Sequence, residues 1–294
     1  MALVSNYLKL TTKYKEEYGE NTILLMQVGA FYEMYGLREP KSDEVNGSDI
    51  LNFCKLCDLA ISDKKIWVGK KNVMMAGFRD YNIDKYINKM QQNNYTVVVY
   101  SQDEKAAGTT RSLTGIYSPG TYFSTNEEKL NNNITCIWIK KIRSQLVIGV
   151  SNIDIYTGKT NIFEYITQYS NSPVPYDELE RFISIFNPSE VILITNLNEM
   201  NLVINYIGIK CNCIHKINIE EDDGTMCKRA INCEKQTYQQ EVLKTFFKNE
   251  TLFNYGDFLE NNIASQSFCF LLDFVNQHNP NLTNKISPPK LVDL

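Results

Sequence analysis

The 294-residue chain lacks any apolar run of the roughly 18 residues needed to cross a bilayer, which argues against an integral membrane protein. Its first stretch, Met1 to Glu20, mixes Lys, Tyr and Glu without an apolar core, a pattern of neither a secretory signal nor a transit peptide. There are only two histidines, His215 and His278, and neither has an evident nucleophile or acid partner in the sequence. Charge of one sign is not in large excess: 30 basic against 34 acidic residues give −4, which argues against indiscriminate binding to nucleic acid. The eight cysteines, without a secretion signal, read as reduced intracellular thiols. Cys54-x-x-Cys57 has no second pair at zinc spacing, and its neighbours Leu56 and Leu59 predict buried thiols on a helix. Cys211, Cys213, Cys227 and Cys233 with His215 match no familiar zinc module, so no metal site is expected. Gly158-Lys159-Thr160 resembles the end of a phosphate-binding loop, but the position of that loop's first glycine holds Ile153, and the segment lies between two strands. No nucleotide site is expected in this chain.

Apolar residues at 43% and charged residues at 22% are ordinary globular values, and the length predicts two domains. The charge is unevenly divided. Residues 1–124 carry 15 basic and 14 acidic residues, the remainder 15 and 20, so a polyanion would prefer the first half. Abundant Asn, Ile, Lys and Tyr reflect an AT-rich gene rather than a mechanism.

The first half reads as an α/β domain. A helix is predicted over Tyr7 to Tyr18, a short buried strand over Ile23 to Val28 ending at Gly29, and a capped helix over 48–61. The segment Lys64 to Lys71 reads as a basic hairpin, Asn82 to Asn93 as a helix with Ile83, Tyr86, Ile87 and Met90 on one face, and Tyr95 to Tyr100 as a β-branched strand. Ser118-Pro119-Gly120 is a turn. Polar residues from Glu127 to Asn133 mark a linker. The second half then predicts three strands in a meander, Thr135–Ile142, Gln145–Tyr156 and Lys159–Tyr165. A helix Tyr176–Phe186, a strand Val191–Ile194, a helix Leu197–Ile207, a strand near Cys213–Ile217 and a long helix from about Asp257 to Gln277 follow. Three strands, then helix, strand, helix, strand and a covering helix, is the order of ribonuclease H-like folds. A nuclease of that fold needs a metal-binding carboxylate on its first strand, and Thr135 to Ile142 has none; Asp154 on the second strand stands without a partner. The tail from Pro280 has no packing pattern.

The segment Gly29-Ala30-Phe31-Tyr32-Glu33-Met34-Tyr35 carries the most information. A glycine releases the chain from a buried strand, and in extended backbone Phe31 and Glu33 point the same way, placing a ring beside a carboxylate. As core residues the three aromatics would be unremarkable; as an exposed pair, ring and carboxylate make a wedge and a hydrogen-bond acceptor. Phe31-Tyr32-Glu33, between an apolar strand and an expected helix, is similar to the Phe-x-Glu motif of the MutS family of DNA mismatch-recognition proteins. Met75-Ala76-Gly77-Phe78 resembles that family's Met-Ala-Gly segment, and Ile116-Tyr117-Ser118-Pro119-Gly120-Thr121 resembles its Thr-Pro-Gly-Thr segment. Ile137-Trp138, Asp154-Ile155-Tyr156-Thr157-Gly158 and Asn187-Pro188-Ser189-Glu190 fall in the order of the family's connector domain. The Ser-Pro-Gly-Thr variant and the composition resemble the giant-virus and octocoral-mitochondrial branch.

The resemblance implies a two-domain α/β fold: a mixed-sheet mismatch-binding domain over 1–125, a ribonuclease H-like connector over 126–280, and a linker over 281–294 leading to further parts. It implies that Phe31 enters DNA from the minor groove and stacks on a mispaired or unpaired base, that Glu33 hydrogen-bonds that base, and that the connector relays the bound state to an ATPase. Mismatched or looped double-stranded DNA is the implied partner, with dimerisation through C-terminal parts and repair proteins meeting the connector. ATP and magnesium would belong to the ATPase, so this segment is expected to need no cofactor and to be no enzyme itself. The implied setting is intracellular, a host cytoplasm for a viral protein or a mitochondrion for an organelle-encoded one. The sequence departs from the family at Ala30, where Asp is common, and at Gly115, where Arg is common. Phosphate contacts are therefore assigned to Lys64, Lys65, Lys70, Lys71 and Arg79. Two other functions follow from the same residues: a protein-interaction module that no longer binds DNA, and a ribonuclease H-like nuclease.

Overall fold

The computed structural model describes residues 2–103, 110–121, 131–247 and 260–293, and the chain divides into two compact units, Met1–Tyr122 and Phe123–Leu294. The expected domain junction at 125/126, residues 127–130 of the expected linker, and the first residues of the expected closing helix, Leu259 included, lie outside the described residues.

The first unit opens with α1 (Ala2–Tyr18), whose Val4, Tyr7, Thr11, Tyr14 and Tyr18 recur at helical spacing and are buried. Strands β1 (Thr22–Val28), β2 (Phe31–Arg38), β3 (Val45–Asn46), β4 (Ser62–Val68), β5 (Lys71–Arg79), β6 (Thr96–Gln102) and β7 (Arg111–Tyr117) form one mixed sheet. Its order is β4-β5-β2-β1-β6-β7, with β3 on β2, and β1 and β6 are parallel. Two helices, α2 (Ile50–Cys57) and α3 (Ile83–Gln92), feed Phe53, Tyr86, Ile87 and Met90 into the core. Phe78 of β5 stacks on Tyr32 of β2 and lies 4.2 Å from Tyr86, ring centroid to ring centroid.

Two expectations fail here for stated reasons. The Phe-x-Glu segment leads into β2, not a helix: aromatic residues at alternating positions suit a pleated strand, and β1 and β5 pair it from both sides. At α2 neither predicted cap acts as one. The Ser48 hydroxyl donates to the Tyr35 carbonyl, and the Asp49 carboxylate accepts from Tyr95 and Asn52. Leu56 and Leu59 are only half-buried, while Phe53, Cys54 and Cys57 take the inner face.

The second unit is a six-stranded sheet of β8 (Asn133–Ile142), β9 (Gln145–Asp154), β10 (Thr160–Gln168), β11 (Glu190–Thr195), β12 (Cys213–Asn218) and β13 (Lys290–Leu291), ordered β12-β11-β8-β9-β10-β13. The meander β8–β9–β10 is antiparallel, as its two-residue breaks suggest, while β11 pairs parallel with β8 and β12 parallel with β11. Helices α4 (Asp177–Phe186) and α5 (Met200–Ile207) cover one face over Ile137, Ile139, Ile148 and Leu193. The other face holds α6 (Thr225–Cys233), α7 (Gln236–Phe246) and α8 (Asn262–His278), with α8 buried almost all round. Gly149 makes that docking possible, since a Cβ there would lie 2.2 Å from the Ala264 nitrogen. The residues after Pro280, expected to have no packing pattern, close back on the sheet: Leu282 and Ile286 are buried, Ser287 donates to the Gly158 carbonyl, and β13 pairs with β10. No helix among the described residues is long and apolar enough to cross a membrane.

Candidate nucleic-acid interface

Phe31 owes its position to a two-residue hairpin. Val28 pairs with Phe31, so Gly29 and Ala30 alone connect β1 to β2. Gly29 has φ +59° and Ala30 is not among the positive-φ residues, the arrangement of a type II′ turn, whose twist matches that of the flanking strands. Two side-chain amides brace this turn. Gln102 accepts from the Gly29 N–H at 3.0 Å, and Gln27 accepts from the Gln102 N–H at 2.9 Å. Arg111 Nε also donates to the Gln27 carbonyl at 2.5 Å. A sequence search for charged or aromatic contact residues passes over this bracing set, because its donors come from strands distant in the chain.

Along β2, Phe31, Glu33 and Tyr35 share one face, as expected, and their exposure falls in that order. Tyr35 is fully buried, with its ring edge-on to Tyr7 of α1 at 5.0 Å. Glu33 keeps 13% of its side chain accessible, and Phe31 is 40% exposed. Arg79 sits opposite Phe31 in the register and lies over its ring at 4.9 Å. Opposite Glu33 stands Gly77, where a Cβ would meet the Tyr32 carbonyl at 2.9 Å and Glu33 Cγ at 3.4 Å. Glycine in the Met-Ala-Gly segment thus gives the carboxylate its room. Lys64 Nζ donates to Glu33 Oε2 at 2.6 Å and to the Tyr35 hydroxyl at 3.1 Å, and the Tyr35 hydroxyl donates to the same Oε2. Burial, followed by this carboxylate, pushes the Tyr35 phenol well above its usual range.

The other cations are spread along the sheet. Lys71 begins β5 at the end away from Arg79, about 27 Å along the strand at 3.4 Å per residue. There Lys71 pairs with Glu39 at 2.6 Å and Arg38 pairs with Asp43 at 3.2 Å. Lys70 is exposed in the β4–β5 turn beside Gly69 (φ +61°), and Lys65 is exposed in a bulge of β4. Of the seven residues named from the sequence, Phe31, Glu33, Lys64 and Arg79 come together; Lys65, Lys70 and Lys71 do not join them. The space that an arginine would take at Gly115 is covered by the Tyr117 ring, 2.8–2.9 Å from a Cβ placed there.

Residues 2–126 match the family model for MutS domain I. The chain is MutS-like. It is 25% identical over 303 residues to a putative DNA mismatch repair protein MutS homolog of Acanthamoeba polyphaga mimivirus, covering 95% of this chain and 27% of that protein. It is 29% identical over 226 residues to the DNA mismatch repair protein MutS of Halothermothrix orenii, covering 71% of this chain and 22% of that one. The MutS of Clostridioides difficile is 23% identical over 301 residues, 97% of this chain and 29% of its own length. The MutS-like segment therefore spans less than a third of the length of these curated relatives.

Elsewhere in the MutS-like segment, polar groups are mostly engaged in holding structure. Asp154 accepts from the backbone of Asn132 and Tyr156 and from the Thr157 hydroxyl, closing the β9–β10 turn. Burial pushes the Cys54 and Cys57 thiols up to about 11. Cys213 and His215, named together from the sequence, have a partner in the second unit that the sequence did not indicate, Glu190. Glu190 and Cys213 open adjacent strands, and with His215 they place three donor atoms within 4.8 Å of one another. His215 Nε2 and Glu190 Oε1 are 2.6 Å apart, a hydrogen-bond distance that holds a proton between them. An ion coordinated there would have to open that contact.

Proposed function

We propose that the first unit recognises double-stranded DNA containing a mispair or a small unpaired loop, with Phe31 as the wedge. The supporting observation is the geometry of Phe31: the first residue of a strand, 40% exposed, presented by a two-residue turn that side chains brace. A ring at such a tip can enter the minor groove and replace lost stacking, and a defective base step costs less to open than a paired one. Selectivity then comes from deformability. Glu33, beside the ring, supplies an acceptor for the displaced base, and Arg79, Lys65 and Lys70 supply phosphate contacts. The relatives are named as DNA mismatch repair proteins, which agrees with this reading.

On the same reading the second unit is a connector that relays the DNA-bound state. ATP hydrolysis with magnesium, dimerisation, and signalling to downstream repair proteins engage parts of the longer MutS proteins, and this segment catalyses no reaction. The test is fluorescence anisotropy at low salt with three duplexes: perfect, single-mismatch and single-unpaired-base. Wild-type protein should prefer the two defective duplexes, and Phe31→Ala should remove the preference, a loss of about 1–3 kcal/mol. Equal binding to all three, unchanged by Phe31→Ala, would instead describe a module that interacts without reading lesions.

A further inference from the structure

An ionised carboxylate next to a phosphate backbone is unfavourable unless its charge is compensated. The way β4 is built supplies the compensation for Glu33. In β4 the pairing with β5 is interrupted between Asp63 and Trp67. Lys65 takes φ +56° there, with its N–H donating to Asp63 Oδ1 at 2.6 Å, and Asn72 donates to Asp63 Oδ2. This bulge re-aims the strand. Ser62 pairs with Met75, so Lys64, two residues on, lies on the face of Met75, Gly77 and Arg79, which is also the face of Phe31 and Glu33. Its side chain is only 23% exposed, and its ammonium lies 3.5 Å from Met75 Sδ and 4.6 Å from the Tyr35 ring centre. Both Lys64 and Tyr35 bond Glu33 Oε2. Among the described residues, none bonds Oε1.

We infer that Lys64 is a positioning residue for lesion recognition: a built-in counter-cation that compensates the Glu33 carboxylate at Oε2 and leaves Oε1 to accept an N–H from a displaced base. The inference rests on the proposed reading of Phe31 and Glu33, and reassigns Lys64 from phosphate contact to charge compensation. A carboxylate held in this way accepts and cannot donate, so the ligand class is a duplex whose unpaired base offers a ring N–H, such as thymine. Unpaired 3-methylthymine, which lacks that proton, should bind more weakly.

The experiment uses the whole chain, with anisotropy on a perfect duplex and on duplexes carrying one unpaired thymine or 3-methylthymine. Wild type, Phe31→Ala, Lys64→Met, Lys64→Arg, Glu33→Gln and the Lys64→Met/Glu33→Gln double variant are compared. Lys64→Met should lower the preference for unpaired thymine about tenfold, the loss of one charge-assisted hydrogen bond. Lys64→Arg should keep most of that preference. Adding Glu33→Gln to Lys64→Met should recover affinity for the lesion duplex, because the uncompensated charge is gone. A phosphate contact predicts something else: Lys64→Met would weaken perfect and lesion duplexes alike, with no recovery from Glu33→Gln, and that outcome overturns the inference. So does an unaltered preference in Lys64→Met while Phe31→Ala abolishes it, which leaves the wedge intact and removes only the role of Lys64. Absence of any Phe31-dependent preference in the wild-type chain removes the wedge and this inference with it.

Discussion

Glu33 and Glu190, each 2.6 Å from a nitrogen base, stand in opposite settings. Glu33 lies at the rim of the first sheet, its side chain 13% exposed, beside the Lys64 ammonium. Glu190 is wholly buried on the second sheet, beside a histidine whose charge depends on its proton. The rim pair stands next to an exposed ring and keeps a negative charge available at a surface. The buried pair lies under α8, where Phe274 packs 5.4 Å from His215, and ties the first residue of β11 to β12. A polar pair at a rim serves a ligand, whereas the same chemistry under a helix fixes strand register.

Breaking the buried pair should have the largest effect. Glu190→Ala removes one partner of a buried hydrogen-bonded pair and should destabilise the second unit by about 3–5 kcal/mol, read as an earlier urea transition. Its duplex preference should not change. Acid should act on the same corner. Burial holds His278 down to about 4, against 6.5 for a free imidazole. Between those values the unfolded chain takes up the proton and the folded chain does not. Stability is therefore full above pH 6.5 and falls as pH drops toward 4, by up to about 3 kcal/mol, and a His278→Gln variant should show a flatter profile. At the rim the stability effects are smaller. Gln102→Ala removes the acceptor for the Gly29 N–H and should cost about 1 kcal/mol while loosening the turn that presents Phe31. Weaker lesion preference without a shift of the second unit's transition would be its signature. Phe31→Ala, which removes an exposed ring, should change stability by no more than about 0.5 kcal/mol.

The difference between rim and interior also explains what could be read from the chain alone. β1, β6, the meander, α3, α4 and α8 announce themselves by apolar periodicity, because burial requires it. β2 was hidden by aromatic residues that would serve a helix as well, and β7 by a mixed sequence containing Gly115; both exist through their pairing partners. The helices α6 and α7 carry polar residues among few apolar ones and form against α8. At the site, the shared face of Phe31 and Glu33 follows from strand period alone. That Lys64 turns inward while Lys65 does not follows from the alternation that begins at Ser62, but which face is inward depends on the pairing of β4 with β5, and the mixed sequence of β4 leaves no apolar period to show it.

The wedge is tested most directly by the shape of the DNA. A duplex labelled at both ends with a donor and an acceptor dye, and carrying one unpaired base, should show a rise in energy transfer when the wild-type chain binds, since an inserted ring kinks the helix. Phe31→Ala, added until the same fraction of duplex is bound, should leave energy transfer at the value of free DNA. An equal rise with Phe31→Ala, or no rise with saturating wild type, would contradict the assignment of Phe31 as the wedge.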